Sequence, residues 1–273
     1  MEKYVVCYSG GHSSALVAIE AVRKYGRENV ILLNHDISDE VEHKDIKRFK
    51  NEIAKCLGIS ITYANMDDYQ NMTPLRVCKK KKAFTSPENR QALCTYYLKT
   101  NPFHDWLNNN YPADFEKPNR DIKILYGFDA SEKGRIQRRA GILGAKGYYT
   151  DFPLAFWNRT IHSTEEIGIA PPDTYKIFKH ANCIGCLKAG MQHWYTVYCL
   201  RRDIFKEALE VEEELSYSII KDYFLKDLTS RFDETISKGV CPNDKENGNA
   251  FWSKVNQIMP EQISLLPCDC AVL

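Results

Sequence analysis

Residues 3–14 read Lys3-Tyr4-Val5-Val6-Cys7-Tyr8-Ser9-Gly10-Gly11-His12-Ser13-Ser14. The first six form a short apolar run rich in β-formers. Gly10 and Gly11 stop it. From Ser13 to Tyr25, Ala15, Leu16, Ile19 and Val22 recur at helical spacing, and Gly26 ends the helix. The unit is strand, glycine turn, helix. Two glycines let the backbone come close to a ligand, and the following helix start offers unpaired N–H groups and the positive end of its dipole. The flanking serine hydroxyls add donors, so phosphate or pyrophosphate is the natural occupant. The turn is neither G-x-x-x-x-G-K-[ST] nor G-x-G-x-x-G.

Outward from this unit the alternation continues. Val30–Asn34 is a continuous apolar run, as in a strand covered on both faces. Over residues 41–57, Val41, Ile46, Phe49, Ile53 and Leu57 form one helical stripe that Gly58 stops, and residues 60–64 are β-like. The pattern predicts an α/β fold: a doubly wound, mainly parallel sheet flanked by helices, with right-handed crossovers. Residues 65–89, including Lys79–Lys82, read as a long loop or small insertion. Helical patterns follow over 92–110 and 131–143, with strands at 122–127 and 148–151. Residues 152–182 are irregular, and Met191 to about Lys238 reads as two helices. The expected division is an α/β domain over 1–150 that carries the phosphate turn, and a mainly helical, cysteine-bearing region over 151–273.

The chain has 273 residues, 44% hydrophobic and 27% charged, which fits a folded globular protein. Its formal net charge of +1 offers no broad basic field, which weakens nucleic acid as a partner. No apolar run approaches the roughly 20 residues needed to span a bilayer, so no membrane association is expected. The start lacks a signal-peptide apolar region, and the expected compartment is the cytoplasm. In a reducing compartment the ten cysteines are buried hydrophobes, metal ligands or catalysts rather than disulfides.

Several segments in order resemble one family. Ser9–Ser14 resembles the PP-loop, S-G-G-x-D-S, of the ATP pyrophosphatases and phosphoadenylylsulfate (PAPS) reductases, with Ser13 where that pattern has Asp. Asn34-His35-Asp36 ends the second strand, where the family's loop meets the adenosine. Leu93–Lys99 is similar to a C-T-x-x-L-K helix start. Leu125–Arg135 is similar to G-x-R-x-x-E-S-x-x-R in a loose register without the first Arg. Phe152–Trp157 resembles F-P-L-x-x-W, and Cys183–Cys186 matches C-x-G-C. The likeness spans roughly residues 4–190. It implies a PAPS reductase-like enzyme that binds an adenine nucleotide, ATP or PAPS-like, with sulfur or redox chemistry and a cysteine-bound metal centre. Mg²⁺ accompanies ATP in this class, and a homodimer is the expected assembly.

The candidate nucleotide site comprises Ser9, Gly10, Gly11, His12, Ser13, Ser14, Asn34, Asp36, Gly127 and Arg135. Of these, His12 and Arg135 are the candidate catalytic groups. His12 can donate to phosphate or act as an acid. Arg135, oriented by Glu132, can clamp phosphate or sulfate bidentately; Arg138 and Arg139 are its neighbours on a face that otherwise reads as solvated. Asp36 can accept from a ribose hydroxyl or hold Mg²⁺, and a helix N-cap would look the same. Lys99 is within reach of a phosphate or is a surface lysine. Lys79–Lys82 is a solvated loop, a lid over phosphates or a nucleic-acid contact.

Cys183-x-x-Cys186 puts two sulfurs within reach of one metal ion, and a zinc or cluster site needs about four ligands. The resemblance implies Cys94 as the third, although the family has two adjacent cysteines where Thr95 follows here. Cys199 is the first choice for the fourth, ahead of His180 and His193. Zinc and a [4Fe–4S] cluster stay open, as does a pair of reduced thiols closing a turn. Cys268 and Cys270 form a second thiol pair that is either incidental or a mobile nucleophile. Two other functions compete with the leading one. The first is an ATP-dependent adenylating sulfurtransferase acting on DNA or RNA, and the second is a nucleotide-binding sensor that has lost catalysis.

Overall fold

The structure is a computed structural model and describes residues 2–181 and 183–258. Cys268 and Cys270 lie outside the described residues. The expected alternation is present: β1 (Lys3–Cys7), α1 (His12–Tyr25), β2 (Val30–Asn34), α2 (Lys44–Leu57) and β3 (Ile61–Tyr63). The next elements are α3 (Pro74–Lys81), α4 (Leu93–Thr95), a π-helical turn over Tyr96–Thr100, and α5 (Asn101–Asn110). β4 (Asn119–Leu125), α6 (Lys133–Gly144), β5 (Tyr148–Asp151) and α7 (Pro153–Phe156) complete the α/β part.

The five strands form one all-parallel sheet in the order β3-β2-β1-β4-β5. Successive residues of β1 serve opposite layers. Val6 packs with Leu16 and Ile19 of α1 and Phe49 and Ile53 of α2. Val5 packs with Phe103 and Leu107 of α5 and Leu143 of α6. The period-2 alternation of a strand thus buries both faces of the sheet. The chain winds β1 to β3 in one direction, then returns beside β1 with β4. A crevice opens where neighbouring strands lead off in opposite directions, at the carboxyl ends of β1 and β4, and such crevices hold the ligands of doubly wound sheets.

The C-terminal part contains α8 (Met191–Leu200), α9 (Arg202–Leu215), α10 (Leu225–Ser237) and α11 (Gly248–Ile258). Residues 191–238 therefore hold three helices, not the two expected. The first break is at Arg201 (φ −140°, ψ 68°), where neither glycine nor proline marks it. Residues 65–89 likewise contain a helix rather than only a loop. Thr73 caps α3 by accepting from the Arg76 N–H at 3.2 Å, Pro74 occupies its first turn, and Leu75, Val77 and Cys78 are buried. These residues, with Phe84, Cys94 and Leu98, pack against Trp194, Phe205 and Val211. The helical core is therefore assembled from both sides of residue 150. Among the described residues, no helix is long and apolar enough to cross a membrane.

Candidate functional site

A cleft of about 850 Å³ opens at the carboxyl ends of β1 and β4. Its floor is the glycine turn. Gly10 takes φ +78°, and an added Cβ would lie 3.1 Å from Ile46 and 3.3 Å from Lys50, so the turn settles directly on α2. Gly11 is the N-cap of α1, and no side chain caps that helix end. The Ser14 hydroxyl donates to the Gly11 carbonyl at 2.8 Å, and the Ser9 hydroxyl donates to Ser14 at 3.2 Å. The His12 N–H donates to the Tyr175 hydroxyl at 3.0 Å. The N–H groups of Ser13 and Ser14 follow in the first turn, where helix geometry leaves donors without intrahelical acceptors. Ser13 is exposed on the cleft wall.

Gly127 brings β4 against this turn. A Cβ there would stand 3.1 Å from the carbonyl carbon and oxygen of Ser13 and 3.2 Å from the Ser14 nitrogen. Beyond it, Tyr126, Phe128 and Phe152 stack with centroid separations of 5.4 Å and 6.0 Å along the series. Arg135 pairs with Glu132 and lies 4.2 Å from the Phe128 ring centroid. Arg139, one helical turn later, lies 5.3 Å from the Tyr126 centroid. Lys99, from the π turn, and Lys179 complete the basic wall.

An irregular strap over residues 157–181 closes one side, contributing Tyr175, Lys179, His180 and Ala181. Glu20 of α1, 4% exposed, ties the strap down by accepting from the Ile161 N–H at 3.0 Å, the Thr160 hydroxyl at 3.1 Å and the Thr160 N–H. Nε2 of His12 accepts from the Thr164 N–H at 3.3 Å, which specifies the neutral ring protonated at Nδ1. Burial lowers the His12 pKa, with Arg159 adding to the effect and Glu165 opposing it. Burial also lowers that of His35, against the hydrogen bond to the Ala64 carbonyl and with help from Lys99. Burial pushes the Cys7 thiol up to about 12 on the cleft floor, despite its hydrogen bond with Tyr126.

Of the residues expected to hold a nucleotide, the cleft gathers Ser9, Gly11, His12, Ser13, Ser14, Gly127 and Arg135. Gly10 supports the turn from behind. Asn34 and Asp36 face away. Nζ of Lys50, 1% exposed, donates to Asp36 at 2.7 Å, Asn34 at 3.3 Å and Glu42 at 3.4 Å. Asn34 also donates to the Tyr8 carbonyl at 2.5 Å, and Asp36 accepts from the Tyr69 hydroxyl at 3.1 Å. The residues that reach the cleft from the end of β2 and the segment after it are Leu33, His35 and Ile37. Their spacing of two is the extended-chain period that sends Asn34 and Asp36 to the other side. Arg138 does not line the cleft, whereas Arg139 does. Lys79–Lys82 forms the last turn and cap of α3, with Lys79 2.8 Å from Glu214 and Lys81 over Tyr97, so it is no lid.

Of the four cysteines expected to share a metal, Cys183 lies near both Cys186 and Cys94, and Cys199 stands apart from them. Cys94, at the start of α4, hydrogen-bonds with Cys78 of α3. Cys183 and Cys186 flank a turn held by His193. Its Nε2 accepts from the Gly185 and Cys186 N–H groups, each at 3.2 Å, while Nδ1 pairs with Asp244 at 2.8 Å. Cys199 instead neighbours Tyr195 and Cys241. Among the described residues, no three His, Cys, Asp or Glu side chains converge as a metal site.

The sequence ranked Arg139 behind Arg135 and gave no place to Lys179, Tyr175 or the Tyr126–Phe128 platform. Arg139 follows Arg135 at helical spacing, and Tyr126 and Phe128 share a face at spacing two, so those signals were present. Tyr175 and Lys179 sit in an aperiodic stretch that carries none. Comparison of the chain with protein-family models and with curated proteins found no match.

Proposed function

We propose that the protein is an enzyme that binds an adenine nucleotide, adenylyl sulfate or ATP, at the switch point of its sheet. One observation carries the reading: the N-terminus of α1, the three serines of its turn and four cationic side chains face one cleft beside an aromatic platform. Helix N–H groups and hydroxyls suit the phosphates, and Arg135 and Arg139 suit a phosphate or sulfate oxygen pair. A flat apolar surface suits a base. The topology is shared with nucleotide-binding folds, which supports the reading by analogy only.

The sulfur half rests on the Cys78–Cys94 pair. The hydrogen bond from Cys78 is the largest influence on Cys94 and favours its thiolate, against burial, with Thr95, Lys188 and Lys99 adding to it. Thr95, the next residue, lines the cleft. In this reading the Cys94 thiolate attacks the sulfur of a bound adenylyl sulfate. The S–O bond to the nucleotide breaks, the nucleotide phosphate leaves with that electron pair, and Cys94 carries a thiosulfonate. The Cys78 thiol loses its proton and attacks the Cys94 sulfur; sulfite leaves and a disulfide forms. An external dithiol then reduces that disulfide. In this scheme the neutral His12 donates a hydrogen bond from Nδ1 to the phosphates and Lys99 supplies counter-charge.

The test is titration calorimetry with ATP and with adenylyl sulfate, followed by sulfite release in the presence of dithiothreitol. Binding with a Kd of about 10 µM or tighter is expected, and Arg139→Ala should weaken it about ten-fold or more. Sulfite release should be lost in Cys94→Ser. Absence of binding to either nucleotide overturns the reading. Binding with sulfite release undiminished in Cys94→Ser overturns the role of that thiol. ATP binding that releases pyrophosphate only when tRNA or DNA is added favours the sulfurtransferase instead.

A further inference from the structure

We infer that this cleft takes its nucleotide as the free polyanion, the protein's own cations supplying the charge that a divalent ion supplies in many phosphate sites. The inference rests on the nucleotide reading above and concerns the form in which the ligand binds. Its basis is the set of charged groups on the cleft walls and the partners that already engage them.

Two carboxylates line the cleft, Asp129 and Glu132. Glu132 is engaged on both oxygens, one by Arg135 and the other by the Asp129 N–H at 3.1 Å. Asp129 sits on the exposed rim, where one oxygen accepts from the Ser131 N–H at 2.7 Å and its hydroxyl at 2.5 Å. Asp36, the carboxylate expected to accept from a ribose hydroxyl or hold Mg²⁺, faces away and is bound by Lys50 at 2.7 Å and Lys47 at 3.4 Å. The turn itself carries an exposed hydroxyl, Ser13, and no carboxylate.

Against these stand Lys99, Arg139 and Lys179 on the same walls. Among the described residues, none of the three has a carboxylate within ion-pair distance. Mg²⁺ in phosphate sites is held through one or two carboxylates plus the phosphates themselves. Here the phosphate turn presents N–H groups, which serve anions, and neutral hydroxyls, and it carries no carboxylate. Mg²⁺ on the ligand would also cancel part of the charge that the three cations attract. The turn therefore lacks the carboxylate through which Mg²⁺ is held in such sites.

Ser13 is the residue on which the difference turns. It is exposed at the second position of α1, so Ser13→Asp is compatible with folding, because a carboxylate is favourable in the first turn of a helix. That carboxylate would lie beside the phosphates and create the need for a metal. Ser13→Asn has the same shape without the charge.

The experiment is titration calorimetry of the full chain with ATP and with adenylyl sulfate, in EDTA and in excess magnesium chloride. The wild type should bind in EDTA, with equal or weaker affinity in Mg²⁺. Ser13→Asp should lose about ten-fold or more in EDTA, roughly 1.4 kcal/mol, and recover with Mg²⁺, while Ser13→Asn stays within a few-fold of wild type in EDTA. Wild-type binding that requires Mg²⁺ overturns the inference and leaves the nucleotide reading standing. Equal losses in Ser13→Asp and Ser13→Asn without recovery in Mg²⁺ overturn it too, since the effect is then steric. No binding of either nucleotide in either buffer overturns both.

Discussion

At Gly127 the atoms that a methyl group would meet are backbone atoms of Ser13 and Ser14, at 3.1–3.2 Å, and backbone cannot swing aside as a side chain can. Gly127→Ala should push β4 away from the start of α1, costing about 1–3 kcal/mol in chemical denaturation and loosening nucleotide binding in the same protein. The Cys78–Cys94 pair gives a second residue-scale prediction. The Cys94 thiol is held below its usual range by its hydrogen bond with Cys78, while Cys78 is driven far up. Cys78→Ala should move the iodoacetamide labelling of Cys94, followed by peptide mass spectrometry, to higher pH; an unmoved profile would show that Cys78 does not favour the thiolate. At this scale the sequence was legible where spacing decides the outcome and opaque where direction does. Ser9, Gly11 and Ser14 follow from a turn between strand and helix. Asn34 and Asp36 looked equivalent to Leu33 and His35 until parity separated them, and the buried Lys50 that claims both is fourteen residues or more away in the chain.

Among the elements, the strap and the π turn set the shape of the cleft, and neither has a periodic signature. The π turn precedes Pro102, whose missing N–H cannot serve the carbonyl of Leu98 and whose ring would crowd it. Widening the helix there relieves the conflict and carries Lys99 to the cleft wall. Pro102 was visible in the sequence, but its consequence depends on the helix continuing through it. The strap depends on Glu20, a charged residue on an otherwise buried helix face, and that mismatch was its only sequence signal. Glu20→Ala leaves the N–H groups of Thr160 and Ile161 without their acceptor. The expected cost is about 1–3 kcal/mol, with faster trypsin cleavage at Arg159, Lys176 and Lys179 than in the wild type. Wild-type cleavage rates in the variant would mean that the strap is held by other contacts, such as Tyr175 on His12.

At the scale of the molecule, the doubly wound sheet was readable because each strand and helix carries its own period, and five such units in this order leave one crevice. The helical core was not, because its apolar residues come from α3 and α4 on one side of the chain and α8 to α11 on the other. Such long-range pairing leaves no local pattern. One property of the whole follows from burial of histidines beside cations. Burial lowers the pKa values of His12, His35 and His180, and His104 is lowered to about 4 by burial, Lys146 and Arg139, with Asp105 opposing. Between pH 6.5 and these lowered values the unfolded chain takes up protons that the folded chain refuses. Stability therefore rises with pH in that window and is lost as pH falls through it. Glu42 and Glu212, raised by burial, act in the opposite sense near the acid end of the window. The difference between wild type and a variant isolates the histidine better than one curve does. His104→Gln should reduce the drop in Tm between pH 7 and pH 5. After allowance for solvent screening, about 1 kcal/mol corresponds to roughly 2–4 °C in a protein of this size. Parallel Tm profiles for the two proteins across that range would show that His104 stays neutral in both folded and unfolded chains, or charges equally in both, and that burial beside Lys146 and Arg139 does not govern its proton.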